Sequence, residues 1–254
     1  MLSRFYALPI VLIALLSLNG CSDDSAVVRV ATSPFYPPIS HKKDGDLAGI
    51  DIEIFKAFCE KIDCSPKIKE YDFPVMLQAV SSGEADIAFA GISITEARQK
   101  TLDFSQPYFF NVNHLVSIAP DAQVIGNLSE LKNYRIGYPI GTVYDELIKT
   151  DLEPDGHYPL SQIRHYTDYT QVLKDMQSGN LDLTFMDELT LQLWHNQQGS
   201  SVKSVFKFPQ EDPWGFAFAK QSTLKNEFDA FLKRLGPNGI QKIIDQAVGN
   251  KTPN

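Results

Sequence analysis

The sequence predicts an α/β protein made of two similar units in which strands and helices alternate. Three observations carry this. Short apolar runs alternate with helical stretches that have one apolar face. Residues 72–89 (DFPVMLQAVSSGEADIAF) and 168–185 (DYTQVLKDMQSGNLDLTF) align without a gap, 96 positions apart. After the first copy, the segment DIAFAGISITEARQKTLDFS from Asp86 to Ser105 sets Ser93, Thr95 and Arg98 just beyond a short apolar run and a turn of small residues.

Taken in order, the chain opens with Arg4 and an almost wholly apolar run from Phe5 to Leu18. That run is shorter than the roughly 20 residues a bilayer span needs, so residues 1–20 read as an export signal. It ends in Leu18, Asn19, Gly20, Cys21, which resembles the lipobox of bacterial lipoproteins, although Asn19 departs from the usual small residue. The competing reading is a plain secretory signal with a chance cysteine. Acylation of Cys21 would tether the chain to a membrane through residues 21–26 and leave the body soluble. The chain is then exported to the periplasmic or cell-surface side.

Without the signal there are 22 basic and 31 acidic side chains, a net charge of −9, which argues against a nucleic-acid partner. About 230 residues suffice for one large domain or two lobes of near 100. Cys59 and Cys64 are the only other cysteines. Outside the cytoplasm they read as a local disulfide between a helix end and the loop after it, worth roughly 2 kcal/mol on the chain-entropy model. No His lies at ligand spacing to them, so no metal site is expected.

Val27 to Ala31 reads as a strand. Asp51 to Ile62 reads as a helix with Ile52, Phe55, Cys59 and Ile62 on one face, and Lys67 to Glu70 as another strand. In each copy of the repeat an Asp (Asp72, Asp168) caps a helix, Ser-Gly (Ser82-Gly83, Ser178-Gly179) ends it, and a short apolar strand follows. A turn at Gly141, Thr142 and Val143 opens a helix towards Thr150, and Glu188 to Gln198 forms another. The closing helix, Thr223 to Leu235, gathers Leu224, Phe228, Phe231 and Leu235 on one face and stops at Gly236 and Pro237.

Ligands of open α/β sheets sit beyond the carboxyl ends of the strands. There, the first unit offers Arg98 and Ser93 and the second offers Asp187, so a zwitterion fits between them. Arg98 would grip an α-carboxylate in its planar fork, aided by Ser93 and by amides at Gly141, Thr142 and Val143. Asp187 would take the α-ammonium. On the residues alone Asp187 reads equally as an N-cap, and Arg98 also reads as a solvated helix charge.

Seven segments in order, over the whole mature chain, carry a family resemblance: TSPFYPPIS from Thr32, GDLAGIDIEIF from Gly45, SITEAR, DFSQPYF from Asp103, LSELKNYRIGYPIGT from Leu128, SGNLDLTFMDE from Ser178, and PWGFAFAK. They resemble type II periplasmic amino-acid-binding proteins, the solute receptors of ABC importers (bacterial extracellular solute-binding proteins, family 3). The resemblance implies the two-lobed periplasmic-binding-protein fold (type II), each lobe a mixed sheet flanked by helices and the two joined by two hinge strands, with a ligand in the cleft and closure on binding. Lobe I would comprise residues 27–110 and 214–254, and lobe II residues 111–213. The hinge strands would cross near Phe110 to Asn113 and return near Glu211 to Pro213.

The carboxylate-binding Arg and Ser of the family fall on Arg98 and Ser93, with Gly91 in the same turn, Thr142 and Val143 across the cleft, and the ammonium-binding Asp on Asp187. Aromatic residues that sandwich the ligand side chain fall on Tyr36 and Phe73, which favours a polar or basic L-amino acid. Ser33 stands where several relatives carry an acid; Met186 and Glu188 lie where they would compensate. The implied partners are a free amino acid and an ABC permease, with a monomeric chain, no cofactor, and membrane contact only through a lipid anchor.

No G-x-S-x-G, Walker loop or zinc-type His pair is present, and an enzyme is not expected. The alternatives are a cyclohexadienyl dehydratase on the same fold, with Glu188 or Asp212 as general acid, or a ligand sensor without transport.

Overall fold

The computed structural model describes residues 26–152, 158–198 and 201–249; the expected export signal (residues 1–20) and Cys21 lie outside them. The first apolar run forms β1 (Ala26–Thr32), which buries Val28, Val30 and Ala31. A small ribbon of β2 (Phe35–Tyr36), β3 (Ser40–Lys43) and β4 (Asp46–Ala48) follows. Then come α1 (Ile50–Ile62), β5 (Cys64–Glu70), α2 (Phe73–Ser81), β6 (Ile87–Phe89), α3 (Glu96–Gln99) and β7 (Asp103–Phe104). The long β8 (Phe109–Ser117) leads to β9 (Ile136–Pro139), α4 (Tyr144–Leu147), β10 (Arg164–Tyr166), α5 (Tyr169–Gln177), β11 (Leu183–Asp187) and α6 (Glu188–Gln198). The chain ends through β12 (Lys203–Trp214), β13 (Ala217–Phe218) and α7 (Thr223–Val248).

Two five-stranded sheets result, ordered β5-β1-β6-β13-β7 and β10-β9-β11-β8-β12. β1 runs parallel to β5 and β6, so Thr32 and Phe89 end side by side at one edge of the first sheet. β9 runs parallel to β10 and β11, so Pro139, Tyr166 and Asp187 end together at one edge of the second. β8 and β12 pair along their length and connect the sheets, with Asn111 opposite Asp212 and Phe109 opposite Trp214.

The repeat has a structural cause. Asp86 and Asp182, identical in the two copies, each take the backbone N–H and the guanidinium of an Arg on the neighbouring strand or at its start. Asp86 receives Arg29 N at 2.8 Å and Asp182 receives Arg135 N at 2.7 Å. These pairs are largely exposed and screened by solvent, so their value lies in fixing register rather than in net stability. Gly83 (φ 77°) and Gly179 (φ 68°) follow the C-caps Ser82 and Ser178 in the left-handed conformation, as the Ser-Gly pair predicts. The N-caps differ. Asp168 Oδ1 accepts from Gln171 N at 3.1 Å, whereas Asp72 makes no side-chain cap bond, and Pro74 within the first turn leaves one fewer N–H to satisfy.

Cys59 and Cys64 are joined, with Cα atoms 4.9 Å apart, and Cys64 begins β5 rather than lying in a loop. The closing helix also differs from expectation. Gly236 breaks it (φ 65°, ψ 171°), but Pro237 starts a second helical run to Val248, where its missing N–H is no cost. Both runs pack on the first sheet's core: Phe228 contacts Phe58 edge-on at 4.8 Å, and Ile244 and Val248 are buried in the same cluster. Leu115, Ile136, Tyr138, Leu183 and Phe185 form the main core around the second sheet.

Candidate functional site

The two strand-end edges face one another across a cavity. Its walls include Ser33, Tyr36, Phe73, Gly91, Ser93 and Arg98 from the first sheet's side. Thr142, Val143, Tyr144, Asp168 and Tyr169 come from the second, and Asn113, Asp212 and Trp214 from the connecting strands. The empty volume, open solvent at its mouth included, is about 620 Å³.

Several contacts hold the two sides together. Tyr36 stacks on Tyr169 with ring centroids 5.0 Å apart and planes 7° off parallel. The Tyr36 hydroxyl donates to Asp187, and Thr190 Oγ1 donates to the Pro37 carbonyl at 3.0 Å. Arg98 Nη2 reaches across to the Gly141 carbonyl at 3.1 Å.

Arg98 sits on α3, whose N-cap Thr95 accepts from the Arg98 N–H at 3.2 Å. Its Nη1 donates to the Ser93 carbonyl at 2.8 Å, and its guanidinium lies 5.4 Å from the Phe73 ring centroid. Burial lowers the guanidinium to about 10, opposed by the nearby Asp212 and Glu146 carboxylates, so it keeps its charge at neutral pH. Two carbonyls use only two of the five N–H donors of the fork, which leaves capacity for an anion. This is a site-facing cation rather than a solvated helix charge.

Gly91 has φ +63°, and a Cβ there would sit 3.3 Å from Ile39 and from Trp214. A side chain there is strained by its conformation, and Ile39 and Trp214 would have to give by a few tenths of an ångström to admit it. Its N–H donates at 2.8 Å to Asp51 Oδ2, and Asp51 Oδ1 takes the Tyr108 hydroxyl at 2.5 Å. Burial raises Asp51 to about 7 against those two hydrogen bonds. Asp51 thus holds the turn of small residues from beneath.

Asp187, which ends β11, is wholly buried, and it is not among the residues facing the cavity. Oδ1 accepts from Thr190 N at 2.8 Å and so caps α6, while Oδ2 takes the Tyr36 hydroxyl. Burial raises its pKa; the Thr190 and Tyr36 hydrogen bonds oppose the rise. Gly141, expected to offer an amide to a carboxylate, offers its carbonyl to Arg98 instead. The expected Tyr36 and Phe73 sandwich is divided: Tyr36 pairs with Tyr169, and Phe73 lies by Arg98. Ser33, Thr142 and Val143 line the wall, whereas Met186 and Glu188 do not.

Asp212 and Tyr169 are among the wall residues that the sequence did not single out for binding. Asp212 Oδ2 accepts from Ser93 Oγ and from Trp214 Nε1, both at 3.0 Å, and from Asn111 and Asn113 at 3.4 Å. Burial raises its pKa, opposed by these donors. Tyr169 was detectable: it is the repeat counterpart of Phe73, and both line the cavity immediately after their capping Asp.

Among the described residues no helix is long and apolar enough to cross a membrane, and no group of His, Cys, Asp and Glu is placed to hold a metal ion. The arginine-binding extracellular protein ArtP of Bacillus subtilis is 25% identical over 230 residues, covering 89% of this chain and 88% of that protein. An arginine-binding periplasmic protein of Mannheimia haemolytica is 27% identical over 229 residues, covering 87% and 91%. The solved structure of an ancestral arginine-binding protein bound to arginine superposes with a TM-score of 0.76 at 27% identity, covering 87% of this chain and 98% of that one. Residues 28–250 match the bacterial extracellular solute-binding proteins, family 3, and the chain belongs to that family.

Proposed function

We propose that the protein is an exported receptor that binds a basic L-amino acid between its two sheets, closes on it and presents it to an ABC importer. The observation that carries this is the buried Arg98 guanidinium, anchored by two carbonyls and facing a cavity whose other charged walls are acidic. Its free N–H donors take the α-carboxylate as a fork, and Ser93 Oγ turns to the same oxygens.

The α-ammonium goes to Asp187. A charged donor is a stronger partner for a buried carboxylate than the neutral Tyr36 hydroxyl now on it, so the ligand displaces that hydroxyl. Tyr36, Tyr169 and Phe73 then cover the aliphatic part of the side chain. The names of the arginine-binding relatives support a basic ligand.

Lobe I is assigned residues 27–110 and 214–254 and lobe II residues 111–213, with β8 and β12 as the hinge. Contacts between the lobes, such as Arg98 to Gly141 and Thr190 to Pro37, stabilise the closed form, and a ligand bridging both walls adds to them. The chain acts as a monomer, held to the membrane by lipid on Cys21, and it is not an enzyme. Relatives named as binding proteins support a receptor over a dehydratase.

The test is a thermal-shift screen of the mature protein against the twenty amino acids and prephenate. A basic amino acid is expected to raise the melting temperature, because a ligand that binds only the folded state stabilises it by mass action. Conversion of prephenate, or no response to any amino acid, would refute the receptor reading.

A further inference from the structure

One acidic group in the cavity has no part in holding the groups common to all amino acids. Arg98 is matched to the α-carboxylate and Asp187 to the α-ammonium. Asp212 is committed through Oδ2 to Ser93, Trp214 and the two hinge asparagines, and it lies near enough to Arg98 to favour that charge. Asp168 remains. It lines the cavity at the strand-end edge of the second sheet, half-buried, next to the Tyr169 ring that stacks on Tyr36.

Asp168 caps α5, but the cap does not exhaust it. Oδ1 accepts from Gln171 N at 3.1 Å; Oδ2 accepts from Gln171 Nε2 and Thr167 Oγ1, both at 3.3 Å. The last two are long, and an ionised carboxylate offers about four acceptor positions. Room is left for a strong donor from the cavity side. Charge points the same way. The charged side chains on the wall are Arg98, Asp168 and Asp212, with Asp187 behind Tyr36, so acid exceeds base. A ligand of net charge +1 balances such a cavity better than a zwitterion of net zero. Ser33 on the facing wall adds a hydroxyl and no charge.

We infer that Asp168 is the specificity-determining residue that accepts the cationic tip of a basic amino-acid side chain, with Tyr36 and Tyr169 flanking the stem. This rests on the amino-acid reading above. A charge reader on a helix cap is held rigidly, because the cap bonds orient its carboxylate before the ligand arrives.

The test uses Asp168→Asn. Asparagine caps a helix as well as aspartate does, so the fold and the melting temperature of the unliganded protein should be kept while the charge is removed. The mature chain and the variant are titrated with arginine and with citrulline, which has the same shape without the charge. The expected result is a loss of about tenfold or more for arginine, as befits a charge-assisted bond, with citrulline unchanged. Equal losses for both ligands would show that Asp168 is only a cap and overturn the inference. An unchanged arginine preference would overturn it too, as would loss of that preference in Asp212→Asn instead. If the unaltered chain binds neither ligand and no other amino acid, the amino-acid reading itself fails. A preference that survives in Asp168→Asn refutes the assignment of Asp168 alone.

Discussion

Replacing Arg98 with alanine should cost the protein most of its ligand affinity, and the structure sets the scale. The guanidinium is buried, donates to the Ser93 and Gly141 carbonyls, and keeps its charge at neutral pH. On the proposed reading, a carboxylate bound in the cavity would form a desolvated ion pair with it. Removing one partner of such a pair costs about 3–5 kcal/mol, because the other charge is left buried and uncompensated. At about 1.4 kcal/mol per decade that is roughly a hundredfold to a few thousandfold in Kd. The unliganded protein should suffer less. Two hydrogen bonds are lost, but so is the cost of burying a cation, and the two partly cancel.

Isothermal titration of the mature protein with arginine measures the effect. A parallel titration with arginine amide, which lacks the carboxylate, separates this pair from general damage. The variant should lose little further affinity for the amide, since the partner of Arg98 is already absent. A change in arginine affinity of less than tenfold would refute the assignment of Arg98. Equal losses for arginine and its amide would show that the guanidinium shapes the cavity without reading the carboxylate.

The other expectations concern the remaining polar groups. Asp187→Asn keeps a capping residue for α6 and should weaken α-amino acids selectively over their des-amino analogues; equal losses in calorimetry would leave Asp187 a cap only. Tyr36→Phe removes the hydroxyl that a ligand ammonium would have to displace on the proposed reading, so amino-acid affinity should rise several-fold; a fall would mean that the hydroxyl contacts the ligand. Asp51 is raised from 3.8 to about 7 by burial, so the folded chain binds its proton more tightly than the unfolded chain does. Its ionisation therefore erodes stability as pH rises from about 4 to about 7, by up to ~4 kcal/mol, and has no further effect above that. Chemical denaturation across this range should show a flatter profile for Asp51→Asn than for the unaltered chain, and identical slopes would disprove the account. Replacing Cys59 and Cys64 by serine should cost about 2 kcal/mol in the same assay, since the loop they close is short.

Much of the fold was legible because its signals are local. The strand at Val27, the helix from Asp51 and both repeat copies follow from short-range periodicity and from Asp and Ser-Gly punctuation, which act within one turn of backbone. Gly236-Pro237 was misleading for the same reason. The pair marks a break, but whether a helix resumes beyond it depends on Ile244 and Val248 finding a core on another element. In the site, Arg98, Ser93 and Gly91 were readable as one contiguous segment. Asp212 was harder: it gains its place from pairing with Asn111, 101 positions away, and that pairing leaves no local pattern.

The sequence by itself determined the two-unit plan, the segment that carries Arg98 to the cavity wall and the family, because these depend on residue types at short or regular spacing. Only the tertiary structure decided which aromatic faces which, that Tyr36 rather than open space meets Asp187, and that Asp168 and Asp212 share one cavity. Those relations are set by closing one sheet edge on another. Contacts between groups 133 and 151 positions apart are fixed by packing and hydrogen bonding across that closure, and neither is encoded in any single stretch of chain.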